Sequence, residues 1–203
     1  MADSFLYQPH IHGADGVLTP DLVVDSLAAA LPHEASDMAP LPINLLTCAT
    51  SLQQTGETAC ASAAMVVVAG GRGAILTVGS DHWDPALGAA GSALGHLTCA
   101  KPIAREAVRL GGDDAVRGAV LRTFRISGED EALIGETPLS DWPPVSEFIA
   151  RWSGGAQPPP RSALMIGAGH RDKKPDKADG YRVELELPEP DMRLQCAYGV
   201  RRL

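Results

Sequence analysis

Two apolar runs, Ala63 to Ala69 and Gly73 to Val78, flank Gly70-Gly71-Arg72-Gly73. Runs of this length joined by flexible turn residues read as a hairpin, which commits the middle of the chain to a sheet. The second run closes on Gly79-Ser80-Asp81-His82-Trp83-Asp84. Two carboxylates and an imidazole therefore gather where the chain leaves the sheet, and polar side chains there can converge on a ligand without being buried unpaired. Such oxygen ligands suit a hard cation such as Mg, Ca or Mn. The alternative is that Ser80 and Asp81 cap a turn by bonding to their own backbone, and the pattern alone leaves both readings open.

The chain has 203 residues, of which 45% are apolar, enough for one domain with a real hydrophobic core. The expectation is a single domain over 1–203, with an N-terminal segment 1–40 carrying one helix and a β-roll core from 41 to 203. A formal charge of −8 argues against nucleic acid and anionic membranes as partners, because both demand a basic face. A small molecule is the expected partner. No run approaches bilayer-spanning length, and Met1-Ala2-Asp3-Ser4-Phe5 lacks the basic and apolar regions of a signal peptide, so a cytoplasmic protein is expected. Cys48, Cys60, Cys99 and Cys196 show no paired short spacing. They read as small buried residues rather than a zinc ribbon or a disulfide framework.

Thr19-Pro20-Asp21 reads as an N-cap with Pro at the first helical position, and Leu22, Val23, Leu27 and Leu31 follow at helical spacing up to Pro32. Leu41 to Thr47 looks extended. Ile103 to Leu110 reads as a short helix ended by Gly111-Gly112, and Ala115 to Ile126 as a long strand. Pro143 to Trp152 has a Pro-led start and apolar Val145, Phe148, Ile149 and Trp152, which predicts an amphipathic helix. Ser162 to Ile166, Tyr181 to Leu187 and Met192 to Val200 read as three strands. The second alternates Val183, Leu185 and Leu187 against Arg182, Glu184 and Glu186. The charged stretch Arg171 to Lys177 is a solvated excursion.

With the elements in this order, the sequence resembles a small bacterial branch of the fumarylacetoacetate hydrolase-like superfamily. Leu76 to Asp84, followed by Cys99-Ala100-Lys101-Pro102, is similar to that family's Gly-Ser-Asp-His-x-Asp element and its Cys-Pro-Lys-Pro stretch. The helix at Pro143 to Trp152 with Ser162 to Gly167, and the segment from Tyr181 through Tyr198, extend the likeness over most of the chain. The resemblance implies a mixed, β-rich β-roll with a few short helices and a homodimer. It also implies a divalent Mg or Mn ion held by two glutamates and an aspartate, which polarises a keto acid or diketone and stabilises an enolate. Asp81 matches the metal-binding aspartate and Glu57 the first glutamate, while the second position is Ala59. His96 with Leu94 and Gly95 stands where relatives carry Ser-Lys-Gln, and Ala168 where they carry a threonine. A hard-cation site that loses a carboxylate is weakened, so the absence of any metal is the alternative.

The resemblance thus implies Asp81, His82 and His96 as catalytic residues, Trp83, Asp84 and Lys101 as substrate-binding residues, and Glu57 with Asp81 as metal ligands. Trp83 supplies a flat apolar wall for stacking. The implied function is hydrolysis, decarboxylation or isomerisation of a small keto or diketo substrate. A metal-independent cyclase or isomerase of natural-product biosynthesis and a catalytically silent binding protein are the alternatives. His82 titrates near neutrality, as a general base must, but adjacent side chains on an extended segment face opposite ways, so a structural role stays open. His10 and His12 fall on one face of a strand, a spacing that suits a metal but lacks a third ligand.

Overall fold

The paired apolar runs form the hairpin that their pattern predicts. The computed structural model describes residues 4–13, 21–30, 39–70, 73–85, 99–167, 176–188 and 191–203. Its first strands are β1 (Phe5–Tyr7), β2 (His10–Ile11), β3 (Leu22–Val24), β4 (Ser26–Ala30), β5 (Ala39–Leu41), β6 (Leu46–Thr47) and β7 (Ser51–Gln54). The hairpin follows as β8 (Ala63–Gly70) and β9 (Gly73–Ser80), then β10 (Lys101–Pro102), β11 (Glu106–Arg109), β12 (Val120–Ser127) and β13 (Asp130–Pro138). After helix α1 (Val145–Ser153), the chain adds β14 (Ser162–Gly167), β15 (Gly180–Leu187) and β16 (Met192–Arg202).

A seven-stranded sheet runs β2-β11-β9-β8-β14-β4-β5 and a five-stranded sheet runs β13-β12-β15-β16-β7, with two short pairs, β1-β3 and β10-β6. Both faces of the seven-stranded sheet are buried, which is why β8 and β9 read as continuous apolar runs rather than alternating ones. Met65, Val67, Leu76 and Val78 face a core shared with Leu121, Val183, Leu185 and Leu194 of the five-stranded sheet. Ala64, Val66, Val68 and Ile75 face a second core with Tyr7, Leu22, Val24, Ile103 and Met165. The outer face of the five-stranded sheet is polar: Arg122 bonds Glu136 and Glu186, and Arg182 bonds Glu131 and Glu184. The alternation expected over Tyr181 to Leu187 is therefore real, with Val183, Leu185 and Leu187 buried.

Helix α1 buries Val145, Phe148 and Ile149. Its first turn is capped from a distance, because Asp113 accepts hydrogen bonds from the Ser146 backbone N–H at 2.8 Å and the Ser146 hydroxyl at 2.5 Å. Gly154, at φ +69°, ends it in the left-handed conformation that glycine adopts most easily. No helix among the described residues is long and apolar enough to cross a membrane.

Several expectations are corrected. The helix expected after Asp21 is instead β3 and β4; Leu22 and Val24 point inward and Val23 outward. Pairing of β4 with β14 and β5 outweighs the helical spacing. Thr19, Pro20, Leu31 and Pro32 lie outside the described residues. The helix expected over Ile103 to Leu110 is β11, held between β2 and β9. The strand expected from Ala115 begins only at Val120, after a 3-10 turn at Asp113–Val116. Leu41 to Thr47 is interrupted by a 3-10 turn at Ile43–Leu45.

Candidate functional site

The hairpin ladder continues past the end of β9. The Asp81 N–H donates to the Ser62 carbonyl at 2.9 Å, and Cys60 and Trp83 exchange both backbone bonds at 2.9 Å. With Ala63 opposite Ser80, this register sets Ser62 opposite Asp81 and Cys60 opposite Trp83. Opposite residues share a face, so Cys60, Ser62, Asp81 and Trp83 stand on one side and His82 on the other.

Lys101 arrives on the Asp81 side. Its segment lies against β9 through an antiparallel bridge between Gly79 and Ile103 and a bond from the Ala104 N–H to the Val78 carbonyl at 2.8 Å. Gly79 makes this approach possible, since a Cβ there would meet the Pro102 carbonyl and the Ile103 side chain at 2.9 Å. Lys101 Nζ then donates to Asp81 Oδ1 at 2.6 Å and to the His82 carbonyl at 2.9 Å. Its side chain is 0% exposed, and that of Asp81 13%.

His82 is buried between two tyrosines. Its ring lies edge-on to Tyr181 and Tyr198, with Nδ1 3.4 Å from the Tyr198 hydroxyl, which in turn bonds Ser80 Oγ at 2.7 Å. Burial holds both tyrosine hydroxyls well above their ordinary range, so they remain neutral donors. The His82 ring thus packs against Tyr181 and Tyr198, and its carbonyl accepts from Lys101.

Asp84 also turns inward. It is 1% exposed, and its Oδ2 accepts from the Gly56 N–H at 2.8 Å and from the Thr55 N–H and hydroxyl at 3.2 Å. It staples the loop that carries Glu57. Glu57 itself is an exposed side chain paired with Lys177 at 2.5 Å, and this neighbour holds its carboxyl below the usual range. Thr55, Gly56, Glu57, Lys177, Arg202 and Leu203 line a cavity of about 360 Å³, whose walls among the described residues include neither Asp81 nor Lys101. Trp83 is half-buried on the Asp81 face. His96, Leu94, Gly95, Ala168, His170 and residues 171–175 lie outside the described residues.

The residues that sequence reasoning missed are Ser62 and Tyr198. Ser62 was legible only through the hairpin register, and Tyr198 only through the pairing of β15 with β16. His10 and His12 do share a face, with ring centroids 5.2 Å apart, and Glu106 lies 3.9 Å from His12. Of the four cysteines, Cys60, Cys99 and Cys196 are buried and Cys48 is half-buried, all unbridged.

The divalent ion implied by the resemblance does not fit the described donors. Asp81 is engaged by an ammonium, Glu57 lines a cavity whose described walls do not include Asp81, and the residue across from Asp81 is a serine. Among the described residues no three His, Cys, Asp or Glu side chains are placed to share a cation.

The two-sheet, β-rich architecture is a fumarylacetoacetate hydrolase-like fold. A structure described as Cg1458 superposes with a TM-score of 0.65 at 12% identity, covering 90% of this chain and 77% of that one. A 2-keto-3-deoxy-D-arabinonate dehydratase complexed with magnesium and 2,5-dioxopentanoate gives 0.60 at 13% identity, covering 88% and 74%. Maleylpyruvate hydrolase from Sphingobium sp. SYK-6 gives 0.61 at 11% identity, covering 89% and 71%. No functionally curated protein matches the sequence significantly. The chain belongs to the family described as protein of unknown function (DUF2848), whose model matches residues 23–198.

Proposed function

We propose that this chain is an enzyme acting on a small keto acid or diketone. The observation that carries the reading is the partly buried Lys101–Asp81 pair at the end of β9, 2.6 Å apart, on a fold whose structural neighbours include a keto-acid dehydratase and a maleylpyruvate hydrolase. A fixed cation beside the oxygens of a keto acid stabilises the enolate that carbon–carbon hydrolysis, decarboxylation and dehydration have in common. Asp81 and the His82 carbonyl hold the ammonium in place. Trp83, on the same face, supplies a flat wall against the carbon skeleton. A homodimer forms part of the proposal, and sedimentation of the purified protein decides it.

The test is a panel of small keto acids and diketones followed by proton NMR over time. Turnover of at least one of them, abolished in Lys101→Met, supports the reading. A panel that stays unchanged, with no keto acid bound, refutes it.

A further inference from the structure

We infer that the positive charge used by this site is the Lys101 ammonium, that Lys101 and the Ser62 hydroxyl together bind the anionic oxygens of the ligand, and that no divalent cation takes part. The choice of ligand class rests on the keto-acid reading above. The assignment of the charge rests on geometry.

An ammonium carries three N–H donors. Lys101 spends one on Asp81 Oδ1 and one on the His82 carbonyl, which leaves the third without an acceptor among the described residues. Its side chain is 0% exposed, and a buried unspent donor on a charged group is expensive. Ser62 presents the same condition on the face of the ladder that Asp81 occupies. It is 0% exposed, its hydroxyl has no hydrogen-bond partner among the described residues, and it stands directly opposite Asp81 in the ladder. Two buried donors on one face, one of them cationic, match an acceptor that the chain itself does not provide. A carboxylate or enolate oxygen is such an acceptor, and a charge-assisted bond to it is the strong kind.

Three other carboxylates among the described residues have partners of their own. Asp84 holds the Thr55–Gly56 backbone, Glu57 pairs with Lys177, and Asp176 accepts from the Tyr181 hydroxyl at 2.7 Å. The partners of Asp81 and its neighbours across the ladder are Cys60, Ser62 and Ala64, none of them a carboxylate. Lys101 Nζ lies 2.6 Å from Asp81 Oδ1 and already supplies that oxygen with a positive charge. A second cation brought there would be repelled at close range. Within the ladder the anion-binding pair is therefore Lys101 and Ser62.

The test has two arms on the full-length protein. In the first, Mn²⁺ is titrated with wild-type protein and free ion is read from its electron paramagnetic resonance signal. The signal keeps its full amplitude if the inference holds. Loss of one Mn²⁺ per chain, reversed in Asp81→Asn, overturns it even if keto acids are turned over. In the second, oxalate and pyruvate are titrated calorimetrically in metal-free buffer. Wild-type protein binds them, and Lys101→Met and Ser62→Ala bind roughly 10- to 100-fold more weakly. Since Lys101→Met risks misfolding, Ser62→Ala, a small change in a buried position, keeps the arm decisive. Binding that both variants leave unchanged overturns the inference. If neither anion binds the wild-type protein, both the inference and the keto-acid reading fall.

Discussion

Gly79→Ala probes the link between fold and site. The new Cβ would lie 2.9 Å from the Pro102 carbonyl, 2.9 Å from Ile103 Cγ2 and 3.0 Å from Val66 Cγ2. Contacts this short force something to shift, and two of the three atoms belong to the segment that delivers Lys101. Overpacking of a dense core typically costs about 1–3 kcal/mol. For a chain of this size each kcal/mol lowers the melting temperature by roughly 2–4 °C, so the expected fall is about 2–12 °C. If the strain is relieved by moving residues 101–103 outward, the Lys101 ammonium moves with them and leaves Asp81. Scanning calorimetry and oxalate titration read the two effects separately. Gly155→Ala is the control, since a Cβ there meets nothing within 4 Å. A Gly79→Ala protein that melts and binds oxalate like wild type would refute the close-approach argument.

Other consequences follow from the same geometry. Asp84→Ala leaves the Gly56 and Thr55 N–H groups without their acceptor, an expected loss of about 2–4 kcal/mol in urea unfolding, and an unchanged midpoint would show that the staple does not matter. Phe148→Ala removes a side chain 1% exposed from the core, which should cost about 3–5 kcal/mol, or roughly 6–20 °C in melting temperature. Burial pushes the Cys196 thiol from 9.0 up to about 12. A raised folded value means that its contribution is complete below the unfolded value and lost as pH climbs from 9 towards 12. Stability measured between about pH 8 and pH 10.5 should accordingly fall less in Cys196→Ala than in wild type, and equal falls would contradict the assignment.

The elements legible in the sequence were those whose own pattern decides their structure. The β8–β9 hairpin, α1 with its Val145, Phe148 and Ile149 face, and the strands from Ser162, Tyr181 and Met192 all read correctly because burial and local spacing agree. Residues 22–30 and 106–109 did not, because both are short strands pinned by partners far away in sequence. Ser26 to Ala30 is held by Ser162 to Ile166, and Glu106 by His10. β13 was missed for the opposite reason. It is an edge strand, with Leu133 and Ile134 exposed and its charges spent on Arg122 and Arg182 across the sheet. At the candidate site, the resemblance pointed to Asp81 and Lys101, and the alternation of an extended segment set His82 on the opposite face from Asp81. Motif spacing was silent on Ser62, which only the strand register brings to Asp81. The family resemblance put Glu57 beside Asp81, whereas Asp84 staples the Thr55–Gly56 backbone and Glu57 lines a cavity whose described walls do not include Asp81.

The most direct measurement is a crystal structure of the protein grown with oxalate. The expected result is one oxalate per chain, an oxygen of it within hydrogen-bond distance of both Lys101 Nζ and Ser62 Oγ, and Asp81 still paired with Lys101. Oxalate bridged to Asp81 by a metal ion, or seated instead between Lys177 and Arg202, would contradict it.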